Sequence, residues 1–205
     1  MRRSFSKLTL LTGAVVLVLS ACSSPTGEPT AGSTVQLQAD YPSYDTPGLV
    51  AGSTLVVEGA ALATEPTVLT PRFEGDTPEE NPLLGLSEEE LEAALQEEDA
   101  VPATAVTFRA DVVHQGSVEP GQEITIVQTG GVVDGVTYQL EGATMLTPGE
   151  DYLLFATDSF DGAFAIVGGS AGVYIASGDG VFAAAVPEVA PAQQFTSSEV
   201  ASLTD

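Results

Sequence analysis

The 205-residue sequence has one cysteine, one histidine, no tryptophan and only five basic residues. A single cysteine excludes a disulfide scaffold, and one cysteine with one histidine excludes a Cys/His zinc site. The five basic residues stand against 29 acidic ones, which gives a formal charge of −24. Hydrophobic residues still make up 43% of the chain, so the composition indicates a folded protein and not a disordered polyanion.

The N-terminus has the pattern of an export signal. Three of the five basic residues lie within residues 1–7, and an apolar run follows from Leu8 to Leu19. As a helix rising about 1.5 Å per residue, this run would extend roughly 18 Å, well short of a bilayer core of roughly 30 Å. We therefore predict a signal peptide over residues 1–21 and not a transmembrane anchor.

The apolar run ends in Leu19-Ser20-Ala21-Cys22. These four residues resemble the lipobox of bacterial lipoproteins, with an ordinary secretory signal and an incidental cysteine as the alternative. The resemblance implies that the signal is cut before Cys22 and that its sulfur receives a diacylglyceryl group. Two acyl chains suffice for stable anchoring, so the protein is expected at the cell membrane, on its extracytoplasmic face. Residues 2–7 also resemble a twin-arginine export signal.

The chain from Cys22 onward would hold two arginines against 29 acidic residues, a charge of −27, and no lysine. Nucleic acid is excluded as a partner, because almost nothing neutralises its phosphates. Anionic headgroups repel such a chain, so the membrane is a partner only through the lipid on Cys22. The remaining expected partner is an envelope protein or surface ligand, and no cofactor is predicted. Both a salt-adapted source and an ordinary exported protein fit this charge.

After the signal peptide of residues 1–21, the chain divides by composition into three parts. Residues 22–48 are rich in Ser, Thr, Pro and Gly and are predicted to form a flexible tether, with Tyr41, Tyr44 and Leu49 as docking points. Residues 49–187 are predicted to form a β-domain with a helical insertion at 76–102. Residues 188–205 are polar and broken by proline, which indicates a loosely held C-terminal tail.

Short strands dominate the central part. The clearest alternation runs from Thr104 to His114, where Val106, Phe108, Ala110 and Val112 are predicted to share one face. About eight such segments at near-even spacing predict a mostly β barrel or sandwich. The other predicted strands are Leu55–Gly59, Thr67–Phe73, Glu123–Thr129, Val136–Leu140, Asp151–Thr157, Ala163–Val167, Val173–Ile175 and Val181–Val186.

The insertion interrupts the strand pattern. Ser87 and Glu90 form the sequence of a capping box, and Leu86 and Leu91 stand where a hydrophobic staple would place them. This predicts one acidic helix over residues 88–98.

Three motifs follow one another through the β-domain: Val113-His114-Gln115-Gly116, then the segment 149–155 (GEDYLLF), then the glycine-rich 167–172 (VGGSAG). Their order over residues 50–178 resembles uncharacterised bacterial lipoprotein domains and, more distantly, netrin-like domains of the metalloproteinase-inhibitor type. The resemblance implies an OB-like barrel of five to eight strands. It does not bring the inhibitory chemistry, which requires a free N-terminal cysteine locked by disulfides.

Arg109 and His114 are the candidate ligand-binding residues, because the resemblance to an OB-type barrel implies a site near them and the loop at 129–135. The alternatives are structural: Arg109 in an ion pair with a cross-strand carboxylate, and His114 at a strand end. No nucleophile motif accompanies His114, no spaced aspartate series indicates a metal site, and neither Gly130-Gly131 nor Gly168-Gly169 precedes a phosphate-binding helix. We therefore expect a non-enzymatic binding or envelope surface module. The alternatives are a carboxylate- or cation-dependent envelope hydrolase and a protease-inhibitor-like module.

Overall fold

The computed structural model describes residues 31–69, 77, 81, 84–87, 90 and 100–204. Within these residues the chain is mostly β, as the sequence predicts, with eleven strands and two α-helices. The strands are β1 (Thr34–Leu37), β2 (Leu55–Leu69), β3 (Val101–Gln115), β4 (Glu123–Thr129), β5 (Gly131–Val133), β6 (Val136–Leu140), β7 (Asp151–Asp158), β8 (Phe164–Ile166), β9 (Val173–Gly178), β10 (Val181–Ala184) and β11 (Gln194–Thr196). The helices are α1 (Thr46–Ala51) and α2 (Ser197–Thr204).

Five strands close into a ring. The large sheet runs β11-β10-β9-β7-β2-β3-β4-β8, and β8 also pairs with β7. The ring is therefore β7-β2-β3-β4-β8, with a parallel contact between β4 and β8 and antiparallel contacts elsewhere. Closure removes the free edges of these strands. A five-stranded ring is consistent with the expected OB-like barrel.

Two hydrophobic cores lie on opposite faces of β2 and β7. Side chains such as Val57, Phe108 and Leu154 fill the inside of the ring. The outer face of the same strands packs against the helices and β9–β11, through Val56, Phe155 and others. Strands buried on both faces have apolar residues in succession, which is why 152–156 reads as an unbroken apolar run. Phe155, Tyr174 and Phe195 meet in this outer core with ring centroids 4.9–5.8 Å apart.

The predicted alternation of β3 holds through Ala110 and then fails. Val106, Phe108 and Ala110 are fully buried inside the barrel, but Val112 is 44% exposed. The register to β2 shifts between Glu58 and Gly59, where Asp111 is the extra residue. A bulge of this kind turns the following side chains to the other face, so the prediction for Val112 was wrong.

The C-terminal segment is ordered, contrary to the expected loose tail. β11 pairs with β10, and α2 follows it directly. Phe195 and Val200 are both buried in the outer core. Burial of these two apolar side chains, one on β11 and one on α2, holds the segment against the domain although most of its residues are polar.

Part of the segment predicted as a flexible tether, residues 22–48, is also ordered. β1 pairs in parallel with β6, and β6 pairs with β5 in a small separate sheet. Asp45 caps α1, since its side chain accepts a hydrogen bond from the Gly48 amide at 2.8 Å. The backbone pairing and this cap order the chain from Thr34 onward.

Two tyrosines of this segment contact consecutive glycines. A Cβ on Gly168 would lie 2.9 Å from the Tyr44 ring, and one on Gly169 would lie 2.8 Å from the Tyr41 ring. Both glycines also have positive φ, 64° and 58°. Leu49 is fully buried in the outer core. The predicted docking of Tyr41, Tyr44 and Leu49 is thus confirmed, and it explains the glycine pair.

The insertion begins after Leu69 and ends before Val101, because β2 and β3 pair over their whole length. Most of it, including the helix predicted over 88–98 and Pro71 of a predicted strand, lies outside the described residues. The described Ser87 and Glu90 do form the capping box: the Ser87 amide donates to Glu90 Oε2 at 2.9 Å, and the Glu90 amide donates to Ser87 Oγ at 3.4 Å. The Ser87 hydroxyl also donates to Glu90 Oε2 at 2.7 Å, and this bond, with the one from the Ser87 amide, lowers the pKa of Glu90.

In the described part of the chain, no helix has both the length and the apolar character needed to cross a membrane.

Candidate functional site

Arg109 lies on the outer face of β3 and is bound by a carboxylate of its own strand. Its Nε donates to Asp111 Oδ1 at 2.7 Å, and an η-nitrogen donates to Oδ2 at 3.0 Å. The fork-like geometry fits a guanidinium to a carboxylate. The predicted ion pair exists, but its partner is two residues along the strand and not across it. Glu123, which is opposite Arg109 on β4, adds only a longer-range attraction.

The pair changes the titration of both groups. The hydrogen bond from Arg109 lowers the pKa of Asp111, and the hydrogen bond to Asp111 raises the pKa of Arg109. Both side chains are more than two-fifths exposed, so water screens the interaction and its contribution to stability is small.

His114 is held in a more buried pair. Its Nε2 lies 2.7 Å from Glu58 Oε1, and the two side chains are only 6% and 11% exposed. The register places Val113 opposite Val57 and Gln115 opposite Val56, which leaves His114 as the extra residue of a second bulge. The bulge turns the imidazole onto the outer face, where Glu58 satisfies it.

Arg109, Asp111 and Glu58 border one acidic cleft of about 390 Å³, and His114 meets it only through its contact with Glu58. Its lining includes Glu58, Arg109 and Asp111, together with Asp151 and Asp179 from β7 and the β9–β10 turn. Four carboxylates against one guanidinium give the cleft a negative field, which opposes an acidic ligand at Arg109. Across the described residues, no group of three or more His, Cys, Asp or Glu side chains is placed to hold a metal ion.

The loop at 129–135, which the sequence suggested as part of the same site, lies elsewhere. Arg109 pairs with Glu123, whereas Ala103 pairs with Thr129, six residues further along both strands. At about 3.3 Å per residue the separation is about 20 Å. The structure therefore brings Arg109 and His114 to one region and places Thr129 at the opposite end of β3 and β4.

A second pocket, of about 240 Å³, lies at that opposite end. None of the fourteen described residues that line it is charged, although the chain has 29 acidic and five basic residues. The lining comes from separate segments that include Tyr41, Leu69, Gln128, Met145, Ile166 and Ser170. We call this the uncharged pocket.

Two of its polar side chains, Gln128 and Ser170, are already engaged in hydrogen bonds. Gln128 donates to the Thr144 carbonyl and accepts from the Leu146 amide, both at 2.9 Å. Ser170 donates to the Gly142 carbonyl at 2.8 Å and accepts from the Thr144 amide at 2.9 Å. These bonds fix the loop 141–146 as one wall of the pocket, so the pocket is preformed.

Sequence reasoning missed the uncharged pocket because its lining is scattered from residue 41 to residue 170. One signal was available: residues 124–133 and 163–178 contain no acidic side chain in a strongly acidic chain. Both stretches contribute to the lining. Cys22, the predicted lipidation site, lies outside the described residues.

No protein-family model matches this chain, and no curated protein matches it in sequence.

Proposed function

We propose that this protein is a lipid-anchored binding module on the extracytoplasmic face of a bacterial membrane, and that it is not an enzyme. The observation that carries the proposal is the sequence Leu19-Ser20-Ala21-Cys22 directly after a charged and then apolar N-terminus. The membrane is reached through the lipid on Cys22. The partner is an envelope protein or another ligand at the cell surface.

The folded body begins close to Cys22 in the sequence. The first described strand begins at Thr34, and eleven residues lie between it and Cys22. Eleven residues reach at most about 40 Å, so a lipid on Cys22 would hold the domain within that distance of the membrane. Anionic headgroups would repel the acidic body from the membrane surface itself.

Charge supports a binding role around the acidic cleft. Arg109 is the one Lys or Arg side chain in the described part of the chain, and it is 43% exposed. Its bond to Asp111 lowers the pKa of that carboxyl, which is the opposite of what a catalytic general acid needs. A contact between the partner and this surface, including Arg109 and His114, is the form of the proposal that can be tested directly.

The anchor is tested by fractionation. We expect wild-type protein in the membrane fraction, with a mass that includes the lipid. The Cys22→Ser protein should be absent from the membrane fraction and should lack the mass of the lipid. Ser24→Ala is the matched control and should behave as wild type. Membrane retention of the Cys22→Ser protein, or a bare thiol at residue 22 in wild type, would refute the anchor.

The binding role is tested by crosslinking in intact envelopes. A partner captured by wild type should be reduced by Arg109→Ala and retained by Thr64→Ala, an exposed change outside the cleft. Equal capture by both variants would show that the partner does not use the cleft.

A protease-inhibitor-like module is a second candidate, favoured by one observation. β2 extends beyond the end of β7, where it still pairs with β3, and Leu62, Val68 and Val101 are exposed in this part of the two strands. Exposed apolar side chains of this kind suit contact with another protein. A panel of metalloproteases tests this candidate, and no inhibition or binding by any of them would remove it.

A further inference from the structure

We propose that the uncharged pocket is a binding site for a compact neutral molecule with a single aromatic ring. Binding of such a ligand would not depend on how the chain is attached to a membrane, and it would add a second site to the proposed binding role.

The first step is charge. The fourteen described residues that line the pocket carry no ionised side chain, so neither a cation nor an anion would find a counter-charge among them. Transfer of an unpaired charge from water into such a site is strongly unfavourable. Partial burial also raises the pKa of Tyr41, which keeps its phenol neutral at ordinary pH. The ligand is therefore uncharged.

The second step is hydrogen bonding. Gln128 and Ser170 use their side-chain oxygens and the Gln128 amide nitrogen to hold the loop 141–146. A polar ligand that replaced these bonds would lose as much as it gained. We therefore expect most of the affinity in this pocket to come from apolar contact, with Leu69, Ile166 and Met145 as the main contributors.

The third step is size and shape. A volume of about 240 Å³ lies below the roughly 300–1,000 Å³ of sites for drug-sized ligands. The lining converges from four strands, β2, β4, β6 and β8, and from four connecting segments, which suits a compact ligand better than an extended peptide. Met145 and Tyr41 provide a thioether and a ring, both of which make favourable contacts with an aromatic ring.

The test uses toluene as the probe. Met145 is the one methionine after Met1, so a chain from residue 22 labelled with methyl-¹³C methionine reports on the pocket through one signal. The Cys22→Ser form of that chain keeps every residue of both cores, which lie between Leu49 and Val200. We expect toluene to shift the Met145 methyl resonance in a saturable way.

Ala143→Phe places a ring in the pocket and should weaken toluene binding by about tenfold or more. Ser159→Phe, on another wall, serves if the first variant fails to fold. Ala201→Phe on the exposed side of α2 is the control and should bind as the parent chain does.

Two further probes test the chemistry of the ligand. Benzoate, which adds a negative charge to the same ring, should not bind, and cyclohexane should bind more weakly than toluene. No saturable shift with toluene, or equal binding by the Ala143→Phe and parent chains, would overturn the site. Benzoate binding would overturn the charge argument, and cyclohexane binding as tightly as toluene would overturn the preference for an aromatic ring. None of these outcomes depends on the anchor.

Discussion

Gly59 should be the glycine at which a single methyl group does most harm to the barrel. It lies in the middle of β2, opposite Ala110 on β3 and Tyr152 on β7. A Cβ there would be 1.8 Å from the Arg109 carbonyl oxygen, where ordinary contact begins at 3.4 Å. Relief requires the two strands to separate by about 1.6 Å, which would lengthen neighbouring 2.9 Å hydrogen bonds beyond any useful range.

The cost can be estimated from these contacts. Overpacking of a rigid interior costs about 1–3 kcal/mol, and each lost backbone hydrogen bond adds about 1 kcal/mol. For Gly59→Ala we expect a loss of about 3–5 kcal/mol in the free energy of unfolding, a large part of the total for a domain of this size.

Urea unfolding followed by circular dichroism measures this loss. Gly52→Ala is the matched control, since Gly52 has an ordinary φ of −79° and its nearest obstruction is at 3.2 Å. We expect a change of less than about 1 kcal/mol for the control. A Gly59→Ala chain as stable as the control would show that β2 and β3 can separate without loss, and the account of barrel closure would be wrong.

Three further predictions concern charge. His114→Ala should lower the free energy of unfolding in urea by about 3–5 kcal/mol, because it leaves the buried Glu58 unpaired. The double variant Glu58→Leu with His114→Leu should recover most of that loss. A double variant as unstable as the single variant would contradict this prediction. Burial raises the pKa of Tyr174 from 10.0 to about 12, so the folded state holds the phenol proton more tightly than the unfolded state. The corresponding stability, about 3 kcal/mol, is complete below pH 10 and lost as the pH rises to 12, and a Tyr174→Phe chain should lack this loss in thermal unfolding measured across that range. Added NaCl should raise the melting temperature of a chain with charge −24, and a melting temperature that falls between 0.05 and about 0.5 M salt would contradict self-repulsion.

Strands with strong local signals could be predicted from the sequence, and two were predicted to the residue. Glu123–Thr129 and Val136–Leu140 are β4 and β6 with the predicted bounds. Both have β-branched or aromatic residues between clear turn glycines. β1 and β11 were missed because each is no more than four residues long and has little local signal. β1 is stabilised by pairing with β6, and β11 by pairing with β10.

The long β2 shows how tertiary contact overrides local preference. Residues 60–66 (AALATEP) have little β-propensity, so the sequence divides this strand into two. The structure pairs it with β3 from Val56 to Leu69 and absorbs the mismatch in three register shifts. One of those shifts exposes Val112, and another turns His114 outward, so neither orientation could follow from alternation alone.

The sequence pointed to Arg109 and His114, but it did not identify the carboxylates that contact them. Asp111 stands two positions from Arg109, and strand geometry places such residues on one face, so this pair was within reach of the sequence. Glu58 and His114 are 56 residues apart, and their contact depends on the bulge.

The two ends of β3 and β4 therefore differ in the kind of interaction they can support. At the Arg109 end, the cation of the described surface is already bound by a carboxylate, so any partner must compete with Asp111 or contact the surrounding acids. Such contacts lie in water and weaken as salt is added. At the Thr129 end, the described lining carries no charge and Gln128 and Ser170 are already hydrogen-bonded, so binding there depends mainly on apolar area and should change little with salt. A ligand whose affinity falls steeply between 0.05 and about 0.5 M salt therefore binds at the acidic cleft. A ligand whose affinity stays nearly constant over that range binds in the uncharged pocket.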